Sequence, residues 1–312
     1  MAIRLTILGC HSATPRVDSH TTSQFLEINK QHFLIDCGEG TQVQLRKYKV
    51  KFSKISRIFI SHLHGDHFFG LIGLISTFGL IGREKDLHIY GPKGIKEIIV
   101  LQLKLSKSWT NYNLIFHELE SKKSELIFED DNVEVYTIPL THRVYTNGYL
   151  FKEKIGERKL NIKEVSKHSE IEICDYQNLK NGRDFTKENG EIIANVDLTT
   201  DPTPVVSYAF CSDTVYKPDI VNIIKNVDLL YHEATFLEDK EFLCEKTKHS
   251  TAKHAAKIAL KANVKKLLLG HYSSRYGNLE LFKQEAQTVF ENVELSEAGK
   301  VFEVNNATNH CV

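Results

Sequence analysis

Ser61-His62-Leu63-His64-Gly65-Asp66-His67 is the stretch on which the reading of this chain turns. It follows the apolar run Arg57–Ile60 and precedes a longer apolar segment, Phe68–Ile81. Alternate residues of an extended chain point the same way, so His62 and His64 can share one metal ion. Asp66 and His67 would point apart in a strand. At a Gly65-assisted turn into a helix they converge on a second ion. Three imidazoles and a carboxylate in so short a run are costly to bury without metal or hydrogen-bond partners. A single histidine would be read as structural, and Asp66 alone as a helix cap. The spacing of the whole cluster argues for metal.

Further ligands are expected at the ends of other apolar runs. Val133–Ile138 leads to His142, Tyr208–Phe210 leads to Asp213, and Leu267–Leu269 leads to His271. Open sheets gather functional side chains at the carboxyl edge of their strands, where the loops converge. The pattern predicts two zinc sites. His62, His64 and His142 hold one ion, Asp66, His67 and His271 hold the other, and Asp213 bridges both through its two oxygens. Zinc accepts nitrogen and oxygen donors in tetrahedral geometry, and Mn2+ or Fe2+ also fits such a set.

The rest of the chain is ordinary globular material, 41% hydrophobic and 26% charged over 312 residues. Lys+Arg and Asp+Glu balance at 40 each, so net charge does not argue for a nucleic-acid partner, and a local basic surface would be needed. No signal peptide is read at the start, and Phe68–Ile81 is too short for a membrane span, which needs about 20 residues. The cysteines Cys10, Cys37, Cys174, Cys211, Cys244 and Cys311 form no C-x-x-C pair. They are read as reduced thiols of a cytoplasmic protein.

Short β-type runs recur: Leu5–Leu8, Phe33–Ile35, Ile58–Ile60, Leu87–Tyr90, Val133–Ile138, Gly148–Phe151, Val205–Phe210, Leu229–Tyr231, Leu267–Leu269 and Val301–Val304. Helical patterns lie between them. Ala252–Ala262 is the clearest, with Ala255, Ile258, Ala259 and Ala262 on one face and Lys253, Lys257 and Lys261 on the other. That lysine stripe is read first as a solvated face. The alternation implies layered α/β packing. Residues 152–204 read differently, as a polar insertion in one domain spanning 1–312. In its first part Lys152, Lys154, Arg158, Lys159, Lys163 and Lys167 outnumber Glu153, Glu157 and Glu164.

The ligand run with His142, Asp213 and His271 resembles the metallo-β-lactamase superfamily, whose ligands match all seven positions. That resemblance implies an αββα sandwich with a dinuclear centre at one edge. A narrower resemblance covers nearly the whole chain. It is carried by Leu5-Thr6-Ile7-Leu8-Gly9, by Asp36-Cys37-Gly38-Glu39-Gly40-Thr41-Gln42 and by His67-Phe68-Phe69-Gly70-Leu71. Tyr90-Gly91-Pro92-Lys93-Gly94, Cys211-Ser212-Asp213-Thr214 and His232-Glu233-Ala234-Thr235-Phe236 continue it. His249-Ser250-Thr251 and His271-Tyr272-Ser273-Ser274-Arg275-Tyr276 complete it. Together they resemble ribonuclease Z, the tRNA 3′-processing endonucleases.

The resemblance implies a zinc-dependent endoribonuclease with two Zn2+ per subunit. It would remove the 3′ trailer of precursor tRNA, leaving a 3′-hydroxyl on the tRNA and a 5′-phosphate on the trailer. It implies that Glu233 and His249 form a pair relaying a proton to the leaving group; Asp66 is expected to accept a proton from the attacking water or to orient it while ligating zinc. Asp36 would orient a ligand imidazole, and His232 is read as structural. The insertion falls where the family carries a protruding arm that grips tRNA, with Lys152, Lys154, Arg158, Lys159 and Arg275 as candidate contacts. A homodimer is implied too. Two departures stand out: Ile171–Tyr176 lacks the Gly-Pro of many family arms, and Cys211-Ser212 replaces a common Ser-Gly. The rival reading is another dinuclear-zinc hydrolase of the same fold, acting on small phosphodiesters, arylsulfates or lactones.

Overall fold

The structure is a computed structural model that describes residues 2–14 and 16–305. Cys311 lies outside the described residues. Two seven-stranded sheets face each other. The first runs, in spatial order, Val301–Asn305, Ala2–Gly9, Ser23–Ile28, Gln31–Ile35, Arg57–Phe59, Leu87–Pro92 and Leu114–Leu119. The second runs Val293–Leu295, Lys266–Gly270, Leu229–Glu233, Ser207–Cys211, Asn147–Glu153, Val133–Pro139 and Leu126–Glu129.

Side-chain alternation explains why both faces of the first sheet are covered. Phe33, Ile35, Phe59 and Tyr90 point into the space between the sheets. Their neighbours Leu34, Ile58 and Ile89 point outward, onto the helices Thr41–Lys47, Leu71–Leu80 and Ile95–Ser106. A strand apolar on both faces must be buried on both. The second sheet is covered by the helices Ala252–Lys261 and Glu280–Gln287, which pack on its parallel half. The result is the expected αββα sandwich. Phe33, Phe59, Tyr149 and Phe151 interlock across its centre at centroid separations of 5.2–5.6 Å, the tilted and edge-on geometry that ring quadrupoles favour.

Parallel pairing sets the functional edge. Gln31–Ile35, Arg57–Phe59, Leu87–Pro92 and Leu114–Leu119 run parallel in one sheet. Ser207–Cys211, Leu229–Glu233, Lys266–Gly270 and Val293–Leu295 do so in the other. Two bonds pin the sheets together beside the His62 turn. The Tyr149 hydroxyl donates to the Ile60 carbonyl at 2.6 Å, and the Asn147 N–H donates to the Ser61 carbonyl at 3.1 Å.

Every β-run expected from the sequence lies in or overlaps a strand. Ser23–Ile28, Leu114–Leu119, Leu126–Glu129 and Val293–Leu295 were not anticipated. Gln, Glu and His interrupt the first two, which hides their period of two. Phe68–Ile81 forms a short turn of helix and then the helix Leu71–Leu80. Among the described residues no helix is long and apolar enough to cross a membrane.

The segment after Glu153 has a small core of its own: Val165, Ile171, Leu179, Ile193 and Leu198. Short helices and two-residue ladders, Lys159–Leu160 with Thr199–Thr200 and Phe185–Thr186 with Ile192–Ile193, enclose it. Buried Asn195 ties it together, its amide donating to the carbonyls of Leu179 and Arg183 at 2.8 Å. Its two ends meet: Glu153 N–H donates to the Val206 carbonyl at 3.0 Å, and Val206 N–H to the Glu153 carboxylate at 3.1 Å. Lys152 belongs to the strand Asn147–Glu153.

Gly148 marks a tight inter-strand approach beside the site, since a Cβ there would lie 2.2 Å from the Phe210 carbonyl oxygen. Gly148→Ala is expected to destabilise the protein by about 2 kcal/mol or more, through backbone displacement. A urea unfolding midpoint equal to that of the unsubstituted protein would contradict this packing.

Candidate metal centre

All seven expected ligands meet at the carboxyl edge, with their donor atoms in two groups. In the first, His62 Nε2 lies 3.0 Å from His64 Nδ1, which lies 3.3 Å from His142 Nε2. Asp213 Oδ1 is 3.7 Å from His62 Nε2 and 3.8 Å from His142 Nε2. In the second, His67 Nε2 lies 3.4 Å from His271 Nε2 and 3.3 Å from Asp66 Oδ2. Asp213 Oδ2 closes that group at 3.1 Å from His67 and 3.3 Å from His271. Tetrahedral zinc with bonds of about 2.0–2.1 Å separates its donors by about 3.3–3.4 Å. The two groups straddle that value, and each receives one oxygen of Asp213.

The outer ring nitrogens are engaged, which turns the inner ones toward the centre. His67 Nδ1 lies 2.6 Å from Asp36 Oδ2, and His62 Nδ1 lies 3.0 Å from Ser61 Oγ. Asp36 in turn accepts from the Ser61 N–H at 2.7 Å and the Ser61 hydroxyl at 2.9 Å. His142 Nδ1 donates to the Lys248 carbonyl at 2.9 Å, and His271 Nδ1 lies 2.9 Å from Thr235 Oγ1. His62, His67, His142 and His271 thereby turn Nε2 inward, whereas His64 presents its Nδ1.

Local backbone geometry makes this convergence. Asp36, Asp213 and His271 follow strand ends with φ of +56°, +56° and +59°. The left-handed region is sparsely used by residues other than Gly and costs about 1–3 kcal/mol when occupied. Each such residue redirects the chain within two residues of its strand's end. Side chains that would have continued the strand alternation are aimed across the edge instead.

Electrostatics points the same way. Burial would push the Asp213 carboxyl up, but His271, His67 and His62 outweigh it and hold it well below the usual carboxylate range. Burial would push His67 down, yet the carboxylates of Asp213, Asp66 and Asp36 raise it well above the ordinary histidine value. Three carboxylates around one imidazole, two of them buried and Asp66 nearly so, call for positive charge at this spot, which a divalent cation supplies.

A second constellation abuts the first. His249 Nδ1 lies 2.9 Å from Glu233 Oε1 and 3.8 Å from Asp213 Oδ1. Burial lowers His249, but the Glu233 carboxylate overrides it and brings the ring up to about 9. Glu233 also accepts from Thr214 N–H at 2.8 Å, and from the Thr235 N–H and hydroxyl at 3.2 and 2.6 Å. Thr235 Oγ1 therefore connects the His271 imidazole to the carboxylate that holds His249. His232 joins neither donor group; its Nδ1 donates to the Glu233 carbonyl at 2.8 Å.

Sequence reasoning missed several supports. Thr235 and Ser61 lie inside the His232–Phe236 and Ser61–His67 motifs, where a hydroxyl carries no signal of its own. Ser212 Oγ donates to Asp213 Oδ2 at 2.8 Å, and Ala13 N–H donates to Asp66 Oδ2 at 2.8 Å. The Ala13 and Lys248 contributions come from backbone, and no side-chain pattern could have announced them. Lys154 pairs with Glu129, and Arg158 with Asp201 at 2.6 Å. Lys152 sits over the Tyr136 ring at 5.5 Å, and Lys159 is exposed. Arg275 is exposed too, 5.9 Å from the Phe236 ring centroid.

Two facing sheets with these donors at one edge define a protein of the metallo-β-lactamase fold. Solved structures agree. The short form of human tRNase Z aligns at TM-score 0.69 and 28% identity, over 96% of this chain and 98% of that one. A metallo-β-lactamase fold protein from Bacillus subtilis, YhfI, aligns at TM-score 0.68 and 19% identity, over 97% and 100% of the two chains. The ribonuclease Z of Bacteroides thetaiotaomicron is 45% identical over 98% of this chain and 96% of its own length. That of Porphyromonas gingivalis is 46% identical over 93% and 95%. This chain belongs to the ribonuclease Z family. A family model described as anti-Pycsar protein Apyc1 matches residues 3–156. That stretch includes the His62–His67 run and His142 but none of Asp213, Glu233, His249 or His271.

The Thr235 link generates a prediction. Thr235→Val keeps the side-chain shape but removes the hydroxyl partner of His271. It should weaken retention of the second metal roughly 10- to 100-fold, while Thr235→Ser restores it. Metal content after dialysis against graded chelator reads the effect directly. Equal retention by the Val variant and the unsubstituted protein would strip Thr235 of this role.

Proposed function

We propose that this chain is a zinc-dependent endoribonuclease that removes the 3′ trailer of precursor tRNA. It would leave a 3′-hydroxyl on the tRNA and a 5′-phosphate on the trailer. The observation that carries the reading is the His249–Glu233 pair set against two groups of converging metal-type donors, in a chain 45% identical to ribonuclease Z. His62, His64 and His142 would hold one zinc ion, Asp66, His67 and His271 the other, with Asp213 shared. Zinc at these positions would supply Lewis-acid charge for the scissile phosphate and lower the pKa of a water toward about 7.

The chain's own groups perform the remaining work. The Asp66 carboxylate, its Oδ2 fixed by the Ala13 N–H, orients the attacking water and accepts its proton. The new P–O bond forms as the bond from phosphorus to the tRNA 3′ oxygen breaks. His249, oriented through Nδ1 by Glu233, gives the departing oxygen a proton from its other ring nitrogen. Glu233 is fully buried and held by four donors, so it keeps that imidazole in one orientation.

The folded segment 155–204 would serve as a tRNA-binding arm. Over 155–204 seven Lys/Arg face ten Asp/Glu, so its net charge does not attract RNA. Binding must rest on local contacts to phosphates and shape. Lys159 is the candidate cation there whose side chain is exposed. Exposed Leu105 and Trp109, 74% and 71% accessible, would offer a homodimer an apolar contact face. A cytoplasmic location fits the unpaired thiols of Cys10, Cys37, Cys174, Cys211 and Cys244.

The deciding experiment incubates zinc-loaded protein with a 3′-extended precursor tRNA and maps both new ends. A trailer with a 5′-hydroxyl, or an uncut precursor beside rapid turnover of a lactone or arylsulfate, would overturn the reading. His249→Ala should slow precursor cleavage about 10²–10⁴-fold. Its effect on bis(p-nitrophenyl) phosphate should be far smaller, because p-nitrophenolate leaves without a proton. Equal losses on both substrates would remove the acid role. Replacing 155–204 with a short linker between the adjoining ends should weaken precursor binding far more than it slows hydrolysis of that small diester. Unchanged precursor affinity would rule out a recognition arm.

A further inference from the structure

A cavity of about 600 Å³ opens beside His249, walled by Tyr216, Phe242, Glu245, Lys248, His249 and His254. This lies within the ~300–1,000 Å³ of typical small-ligand sites. Tyr216 and Phe242 give it aromatic walls. Phe242, on the helix Glu241–Thr247, is 72% accessible. Tyr216 stacks on His254 at a centroid separation of 4.9 Å and an interplanar angle of 26°. Both rings are anchored, Tyr216 Oη accepting from Lys261 Nζ at 3.0 Å and His254 Nε2 lying 3.0 Å from Glu241 Oε1.

We infer that this cavity binds the nucleoside that carries the leaving 3′ oxygen, with Phe242 as the face on which its base stacks. The inference rests on the reading of His249 as the acid. Glu233 occupies Nδ1 of His249, so the leaving oxygen must come to the other ring nitrogen. The sugar bearing that oxygen then sits against the wall His249 forms, and its base reaches the cavity. Glu241 and Glu245 border the cavity and balance Lys248 and His249 in its wall, so it offers a phosphate no net positive charge. Stacking on an aromatic face tolerates any base, as an enzyme acting on many tRNAs needs. The cavity thereby sets strand polarity: the retained RNA enters over the Glu241–Thr247 helix, and the trailer leaves by another path.

The test crosses Phe242→Ala with a precursor tRNA made abasic at the last retained nucleoside. With the unsubstituted protein, loss of the base should lower kcat/KM roughly ten-fold or more. Phe242→Ala should lower it comparably on intact precursor, and Phe242→Trp should restore it. The two changes together should cost no more than either alone. Multiplicative losses, or indifference of the unsubstituted protein to the missing base, would overturn the stacking site while leaving the endonuclease reading intact. A precursor that the unsubstituted protein never cuts would overturn both.

Discussion

Asp213 is the constraint on which the site depends. Its carboxylate is almost wholly buried, and five imidazoles, His62, His67, His142, His249 and His271, approach within 3.8 Å of it. A lone buried carboxylate is expensive, and so is a lone cluster of imidazoles. Together they offset each other, and the two carboxylate oxygens divide the donors into adjacent groups. Asp213 reaches this position because the strand Ser207–Cys211 ends there and the chain turns at φ +56°.

The rest of the fold can be understood as holding that arrangement rigid. Strands of both sheets end at one edge, and the aromatic layer of Phe33, Phe59, Tyr149 and Phe151 fixes how far apart those ends stand. Interiors packed to crystal density transmit displacement rather than absorb it. The Tyr149 hydroxyl on the Ile60 carbonyl then sets the height of the His62 turn against the second sheet.

The donor groups and the His249–Glu233 pair form one connected network. The Lys248 carbonyl, adjoining His249, holds His142 of the first group. Thr235, through one hydroxyl, joins His271 of the second group to Glu233. The loop carrying His249 is thus tied to both groups by hydrogen bonds. Any displacement of this loop is felt in the orientation of a ligand imidazole.

Sequence by itself determined the ligand types, the αββα class through the family resemblance, and the pairing of His62 with His64. The ligand types and that pairing follow from side-chain chemistry and from a period of two residues, which are local; the αββα class rests on the resemblance. It also marked residues 152–204 as distinct, but not as folded, because five apolar residues spread from Val165 to Leu198 show no period. Only the tertiary structure decided that His142, Asp213 and His271 stand within 4 Å of the His62–His67 turn. Left-handed turns at Asp36, Asp213 and His271, and backbone groups of Ala13 and Lys248, leave no mark on a one-letter string. They arise from how strand ends far apart in the chain are brought to one edge, where each buried charge must find its partner.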